Sequence, residues 1–74
     1  MIVKEFPEVL DVHDFVFKRV RGHLYLSCHC TMRDDLPLSQ VHDISTAIET
    51  RFKQKEPELF KVLIHTEPET DNRR

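Results

Sequence analysis

The chain has 74 residues, so it forms one domain near the lower size limit for independent folding, and a metal ion or a partner subunit commonly supports such a domain. Its 11 basic and 13 acidic residues nearly balance, which leaves no basic surface for a phosphate backbone and argues against nucleic acid as a partner. The sequence contains neither an apolar run of about 18 residues nor a signal-peptide pattern, so no membrane insertion is expected of it.

The first half of the chain predicts a short helix and a β-hairpin. Apolar residues within positions 2–6 indicate a helical stub, which ends ahead of Pro7 because proline disfavours a helical conformation in the preceding residue. Residues 12–20 are rich in β-branched and aromatic side chains, and Gly22, the single glycine, then predicts a turn into a second strand at 24–32.

The second half predicts one long helix and a last strand. The helix starts at Pro37 or Ser39 and runs to about Lys55, and its apolar residues recur every three or four positions, at Val41, Ile44, Ile48 and Phe52. A strand at 60–66 follows, and residues 69–74 are expected to form a disordered tail after a domain of residues 1–68. The order of elements predicts an α+β fold, in which a three-stranded sheet carries helices on one face in a two-layer sandwich.

Histidine is the most informative residue type, because four of the five histidines and one glutamate fall in patterned segments. They are His13, His29, His42, His65 and Glu67. Imidazole nitrogen and carboxylate oxygen are ligands of Zn²⁺ and related cations. Alternation along a strand places His65 and Glu67 on one face, and the start of a helix favours the neutral, ligand-competent form of His42. A metal site built between elements is therefore predicted.

Three residues that adjoin His13 or His29 each have two possible roles. Strict alternation places Asp14 on the opposite side of its strand from His13, where it is either a solvated residue, the interpretation we favour, or a partner that orients the His13 ring. Cys28 and Cys30 share the parity of the core residues of their strand and are expected to pack as reduced thiols, although thiolate ligation of a soft ion remains an alternative.

Four segments taken together resemble one known family. They are Val12-His13-Asp14-Phe15, Leu26-Ser27-Cys28-His29, the stretch from Leu36 to His42, and the stretch from Val62 to Pro68. In this order and spacing, residues 2–68 resemble the C-terminal cytoplasmic domain of cation diffusion facilitator, or cation efflux, transporters. The resemblance implies a ferredoxin-like sandwich with a truncated first helix and a V-shaped homodimer beneath a transmembrane part.

The resemblance also implies where divalent ions bind and what they do. The positions that match the metal ligands of the family are His13, His29, His42, His65 and Glu67, and His23 has no counterpart. Ions held between two subunits would draw the dimer together and regulate transport. Zn²⁺ is expected first, with Fe²⁺, Mn²⁺, Co²⁺, Ni²⁺ and Cd²⁺ left open.

We expect a domain on the cytoplasmic side of a bacterial inner membrane or a magnetosome membrane, either excised from a transporter or free-standing. The transmembrane domain of the transporter would be its partner. A metal-independent structural dimerisation module is the alternative. An enzyme is not expected, because the sequence contains no HExxH motif, nucleophile elbow or phosphate-binding loop.

Overall fold

A computed structural model describes residues 5–70 as one three-stranded sheet with one long helix. The elements are β1 (Val9–Val20), β2 (His23–Met32), α1 (Leu38–Lys55) and β3 (Leu59–Pro68). The sheet order is β1-β2-β3, with β1 and β2 antiparallel and β2 and β3 parallel. The helix α1 makes the crossover that a parallel pair requires. The predicted order of strand, strand, helix and strand is confirmed, and residues 2–4 of the predicted helical stub lie outside the described residues.

The helix α1 forms where its apolar residues recur at helical spacing. Pro37 precedes it in an extended conformation, and Lys53 and Lys55 occupy its last turn, where positive charge is favourable near the backbone carbonyls. Ile44 and Ile48 are the buried members of the apolar stripe, with 8% and 1% of their surface exposed. The predicted helix therefore uses the predicted face to cover the sheet.

The core lies between α1 and one face of the sheet, and both cysteines belong to it. Cys28 and Cys30 are fully buried, and Cys30 packs in one cluster with Ile44 and Ile48 of α1. Burial raises the pKa of the Cys28 thiol and, with smaller effects from nearby negative groups, raises the pKa of Cys30 to about 11. Both thiols are therefore protonated core residues at neutral pH, as their strand parity predicted.

The two ends of the hairpin show different departures from regular strand geometry. Arg21 and Gly22 form a two-residue loop in which both backbones have positive φ, 51° and 83°, as a tight type I′ turn requires. Farther along β1, the pairing shifts between His13 and Val16. This shift is a β-bulge, and Asp14 lies in it with a φ of 55°.

The chain beyond β3 is partly described. Residues 69 and 70 form a short turn, and the backbone N–H of Thr70 donates a hydrogen bond to Asp34 Oδ1 at 3.1 Å. The remainder of the predicted tail lies outside the described residues. Within residues 5–70, no helix combines the length and the apolar character needed to cross a lipid bilayer.

Candidate metal site

Three histidines form a row across the sheet, one from each strand. The pairing register places His13 opposite His29, and His29 opposite His65. The ring centroids are 5.6 Å apart for the first pair and 5.3 Å apart for the second, in which the rings stack. Because side chains alternate along β2 and Cys28 and Cys30 face α1, the histidine row lies on the face of the sheet that the helix does not cover. We call this face the open face.

Glu67 joins two histidines of this row. Its Oε1 lies 3.0 Å from His13 Nε2, and its Oε2 accepts a hydrogen bond from His29 Nδ1 at 3.3 Å. The Thr31 hydroxyl donates a further hydrogen bond to Oε1 at 3.1 Å. Hydrogen bonding from His29, followed by that from Thr31 and the charge of the histidines, lowers the pKa of Glu67 despite some desolvation. The carboxylate is therefore ionised at neutral pH and ready to act as a ligand.

One nitrogen of the row lacks a satisfying partner. His13 Nδ1 is buried and has no hydrogen-bond partner among the described residues. Asp11 Oδ2 lies 2.9 Å from it, close enough for charge attraction but not aligned as a hydrogen bond. A metal-ligating imidazole usually presents its other ring N–H to an oxygen, and the Asp11 carboxylate lies beside Nδ1 in this way. Nε2, which faces Glu67, is therefore the nitrogen of His13 that fits a divalent metal ion.

The structure changes the placement of Asp14. We expected it on the side of β1 opposite His13, but its Oδ2 lies 3.9 Å from His13 Nε2. Ligand atoms of His13, Asp14 and His29 all lie within 4.8 Å of one another. The bulge is the reason, because it interrupts the strict alternation on which the sequence argument depended.

The remaining histidines differ in position. His65 stays on the open face through its stacking on His29. His42 is exposed on α1, and no ion pair or ring contact joins it to the row within residues 5–70. His23 packs against Phe60, with ring centroids 4.3 Å apart. The structure thus brings together four of the five predicted ligands, His13, His29, His65 and Glu67, and leaves His42 apart.

Sequence reasoning overlooked two residues of the site. Asp11 and Thr31 each share strand parity with a histidine two positions away, so the same alternation that grouped His65 with Glu67 could have found them. Asp14 had no such signal, since a bulge is not visible in the alternation of residue types.

An apolar depression continues the open face beyond the histidine row. Its volume is about 310 Å³, and its lining includes Val16, Val20, Tyr25 and Leu63. Val16 is 54% exposed and Leu63 is 45% exposed. The open face therefore combines polar metal ligands at one end with exposed apolar side chains at the other.

The fold and the site together define a class of protein, which is a small ferredoxin-like α+β domain with imidazole and carboxylate donors on its open face. The family model for the cytoplasmic domain of cation efflux proteins matches residues 1–69. The chain belongs to this family, as its sequence resemblance predicted. No curated protein matches the chain significantly.

Solved structures show the same fold. The cytosolic domain of a cation diffusion facilitator family protein aligns with a TM-score of 0.83 and 20% identity, covering 93% of this chain and 82% of that one. The metal-bound C-terminal domain of the CzcD transporter from Thermotoga maritima aligns with a TM-score of 0.81 and 19% identity, covering 90% and 78%. A chain of CzrB, described as a zinc transporter, aligns with a TM-score of 0.75 and 30% identity, covering 92% and 88%.

These similarities confirm the predicted family and the ferredoxin-like α+β class of a dimerising domain. They also show that the chain is a domain of the kind that forms the cytoplasmic part of cation efflux proteins. Among similar structures are a zinc form of CzrB, a nickel form of a MamM domain variant and other MamM domains.

Proposed function

We propose that this domain binds a divalent cation on its open face and pairs with a second copy of itself through that face. The ligands are His13, His29, His65 and Glu67, and Zn²⁺ is the first choice of ion. The observation that carries the proposal is the register of the sheet, which aligns one histidine from each strand beside an ionised carboxylate.

The spacing of the donor atoms supports a tetrahedral ion. Ligands about 2.0–2.2 Å from Zn²⁺ lie roughly 3.3 Å from one another in a tetrahedron. The distances from Glu67 Oε1 to His13 Nε2 and from Glu67 Oε2 to His29 Nδ1 are 3.0 and 3.3 Å, so each of these histidines already has nearly this separation from the carboxylate. An ion between them would replace hydrogen bonds and charge attraction with coordination bonds, without rearranging the strands.

The apolar part of the open face supports pairing with a second copy. Exposed side chains such as Val16 and Leu63 continue from the histidine row. Removing apolar surface from water contributes about 25 cal/mol for each Å², and this contribution offsets the loss of translational and rotational freedom when two copies associate. His42, exposed on α1, is proposed as the ligand of a separate ion or of one shared between subunits. The solved CzrB and CzcD domains, with zinc and metal named in their descriptions, are consistent with this use of the fold.

The domain is proposed to regulate a cation efflux transporter from the cytoplasmic side of its membrane. An ion that binds the closed dimer more tightly than the open one shifts the population toward the closed state by the difference in binding free energy. The transmembrane part of a transporter would be the partner, in a bacterial inner membrane or in a magnetosome membrane. Residues 1–68 are proposed as the functional unit, followed by the tail 69–74.

Thermal unfolding with and without Zn²⁺ tests this function. At a free ion concentration about 100-fold above Kd, binding adds about 2.7 kcal/mol, which raises the Tm of a domain of this size by roughly 10 °C or more. Changing His65 and Glu67 together to alanine should abolish most of this rise. His23→Ala removes a histidine outside the row and should retain it.

The contrasting outcome is that the Tm of the unchanged protein is the same with and without Zn²⁺. The chain would then be a metal-independent dimerisation module. If Zn²⁺ raised the Tm but the double change left that rise intact, the ion would bind elsewhere and the proposed ligands would be wrong.

A further inference from the structure

The bulge in β1 places a second carboxylate beside the histidine row. His13 pairs with His29 and Val16 with Ser27, so Asp14 and Phe15 together lie opposite Cys28. Phe15 turns to the helix side, where it contacts Phe52 edge to face at a centroid distance of 6.3 Å. Asp14 is left on the open face with His13.

We propose that Asp14 is a further metal ligand of this site, delivered to the open face by the bulge. This inference rests on the proposed function. In a regular strand, the residue after His13 would point toward α1. The bulge instead turns the Asp14 side chain to the open face, where its carboxylate can act as a ligand.

The backbone of Asp14 indicates that its position is specific. Its φ of 55° lies in the left-handed region, which non-glycine residues adopt uncommonly and aspartate tolerates better than most. Bulges are frequent beside functional sites, where they re-aim a side chain. Here the redirected carboxylate is 3.9 Å from His13 Nε2, the nitrogen that also faces Glu67.

The Asp14 carboxylate has both the reach and the freedom to coordinate. Its ligand atom lies within 4.8 Å of those of His13 and His29, so a movement of at most about 1.5 Å would bring it to the tetrahedral spacing of roughly 3.3 Å. The Asp14 side chain is 69% exposed, so this movement is not opposed by packing.

The charge of the site supports a ligand role for Asp14. Neutral imidazoles and Glu67 leave a divalent ion with one uncompensated positive charge, whereas adding Asp14 makes the site neutral. Together with His13, His29, His65 and Glu67, Asp14 gives three nitrogen and two oxygen donors, from which Zn²⁺ takes four or, on expansion, five. His65 belongs to this group through its stacking on His29.

Zn²⁺ titration by calorimetry tests the role of Asp14 in the full chain. Asp14→Asn keeps the shape and the tolerance of positive φ while removing the charge, and should weaken Zn²⁺ binding by at least about tenfold, the lower range for losing a group that supports a metal site. Asp14→Gly removes the carboxylate and also the cost of a positive φ at this position, and it should weaken Zn²⁺ binding to the same extent. Asp35→Asn removes an exposed carboxylate elsewhere and should bind as the unchanged protein does.

Two readouts separate coordination from a purely conformational role. The metal-free Tm of the Asp14→Asn protein should equal that of the unchanged chain, and the visible absorption of bound Co²⁺ should change in band position and intensity because a ligand is lost. Unchanged affinity and spectrum in Asp14→Asn, with binding still lost when His65 and Glu67 are replaced, would overturn the role of Asp14 and leave the proposed function standing. No Zn²⁺ binding by the unchanged chain would overturn both.

Discussion

At the scale of single residues, Glu67 is the group on which the site depends most. It contacts His13 and His29 from β1 and β2 and also accepts a hydrogen bond from Thr31. Its carboxylate therefore connects all three strands. The hydrogen bond from His29 is the largest reason that the pKa of Glu67 is lowered, so the folded state favours the ionised form.

This lowered pKa makes the stability of the metal-free protein depend on pH in a specific direction. Because the folded-state pKa of Glu67 lies below its unfolded value, its stabilising contribution is present above the unfolded pKa and is lost as pH falls through the folded pKa. Glu67→Gln should therefore reduce the free energy of unfolding near pH 6, and its difference from the unchanged protein should disappear in more acidic solution. Urea unfolding in a chelator between pH 3 and 7 measures this difference.

A matched change at Glu56, which is exposed at the end of α1, serves as the control. Glu56→Gln should follow the unchanged protein across the same range. A Glu67→Gln protein with a constant deficit at every pH would show that the amide disturbs packing, and that ionisation is not the cause.

At the scale of elements, the hairpin turn could be predicted from the sequence, whereas the bulge in β1 could not. The single glycine correctly marked the turn, since Gly22 occupies a positive φ that favours glycine. The three- and four-residue spacing of Ile44 and Ile48 likewise predicted the buried face of α1. The bulge at Asp14 left no such signature, because the residues around it keep their strand-like composition.

The turn supports a direct test of backbone strain. A methyl group at position 22 would meet no atom within 4 Å, so Gly22→Ala changes only the conformational preference of the residue. At a φ of 83°, this change should reduce the free energy of unfolding by about 1 kcal/mol.

Urea unfolding measures the effect, and Arg21→Asn provides the opposite change. Arg21 also has a positive φ, which asparagine adopts more readily, so this variant should be at least as stable as the unchanged protein. Stabilisation by Gly22→Ala would contradict the turn geometry.

At the scale of the whole molecule, the two faces of the sheet have separate tasks. One face packs on α1 and contains the protonated thiols of Cys28 and Cys30, and the open face carries the row of His13, His29 and His65 and exposed apolar residues. Sequence parity predicted this division, since it placed the cysteines away from His29. The sequence did not separate His42 from the other ligands, because their distances depend on how α1 docks.

The proposed dimer requires the open face. Val16→Glu places a charged side chain in the lining of the apolar depression and should give a monomer, because a dimer would remove that charge from water. Size-exclusion chromatography with light scattering in the presence of Zn²⁺ measures the mass. Leu38→Glu changes an 84% exposed leucine at the start of α1 and should leave the dimer intact. If the Val16→Glu protein remained a dimer, the dimer interface would lie on another face of the domain.

The row of histidines has a consequence for how the fold comes apart. Its members lie far apart in the chain but occupy one line across the sheet, with Glu67 of β3 touching His13 of β1 past the middle strand. An ion held there would act as a removable cross-link that closes a loop spanning most of the polypeptide and restricts the unfolded ensemble. The outer strands could then not detach independently while the ion stayed bound. Cation concentration would thereby set the cooperativity of the molecule as well as its stability.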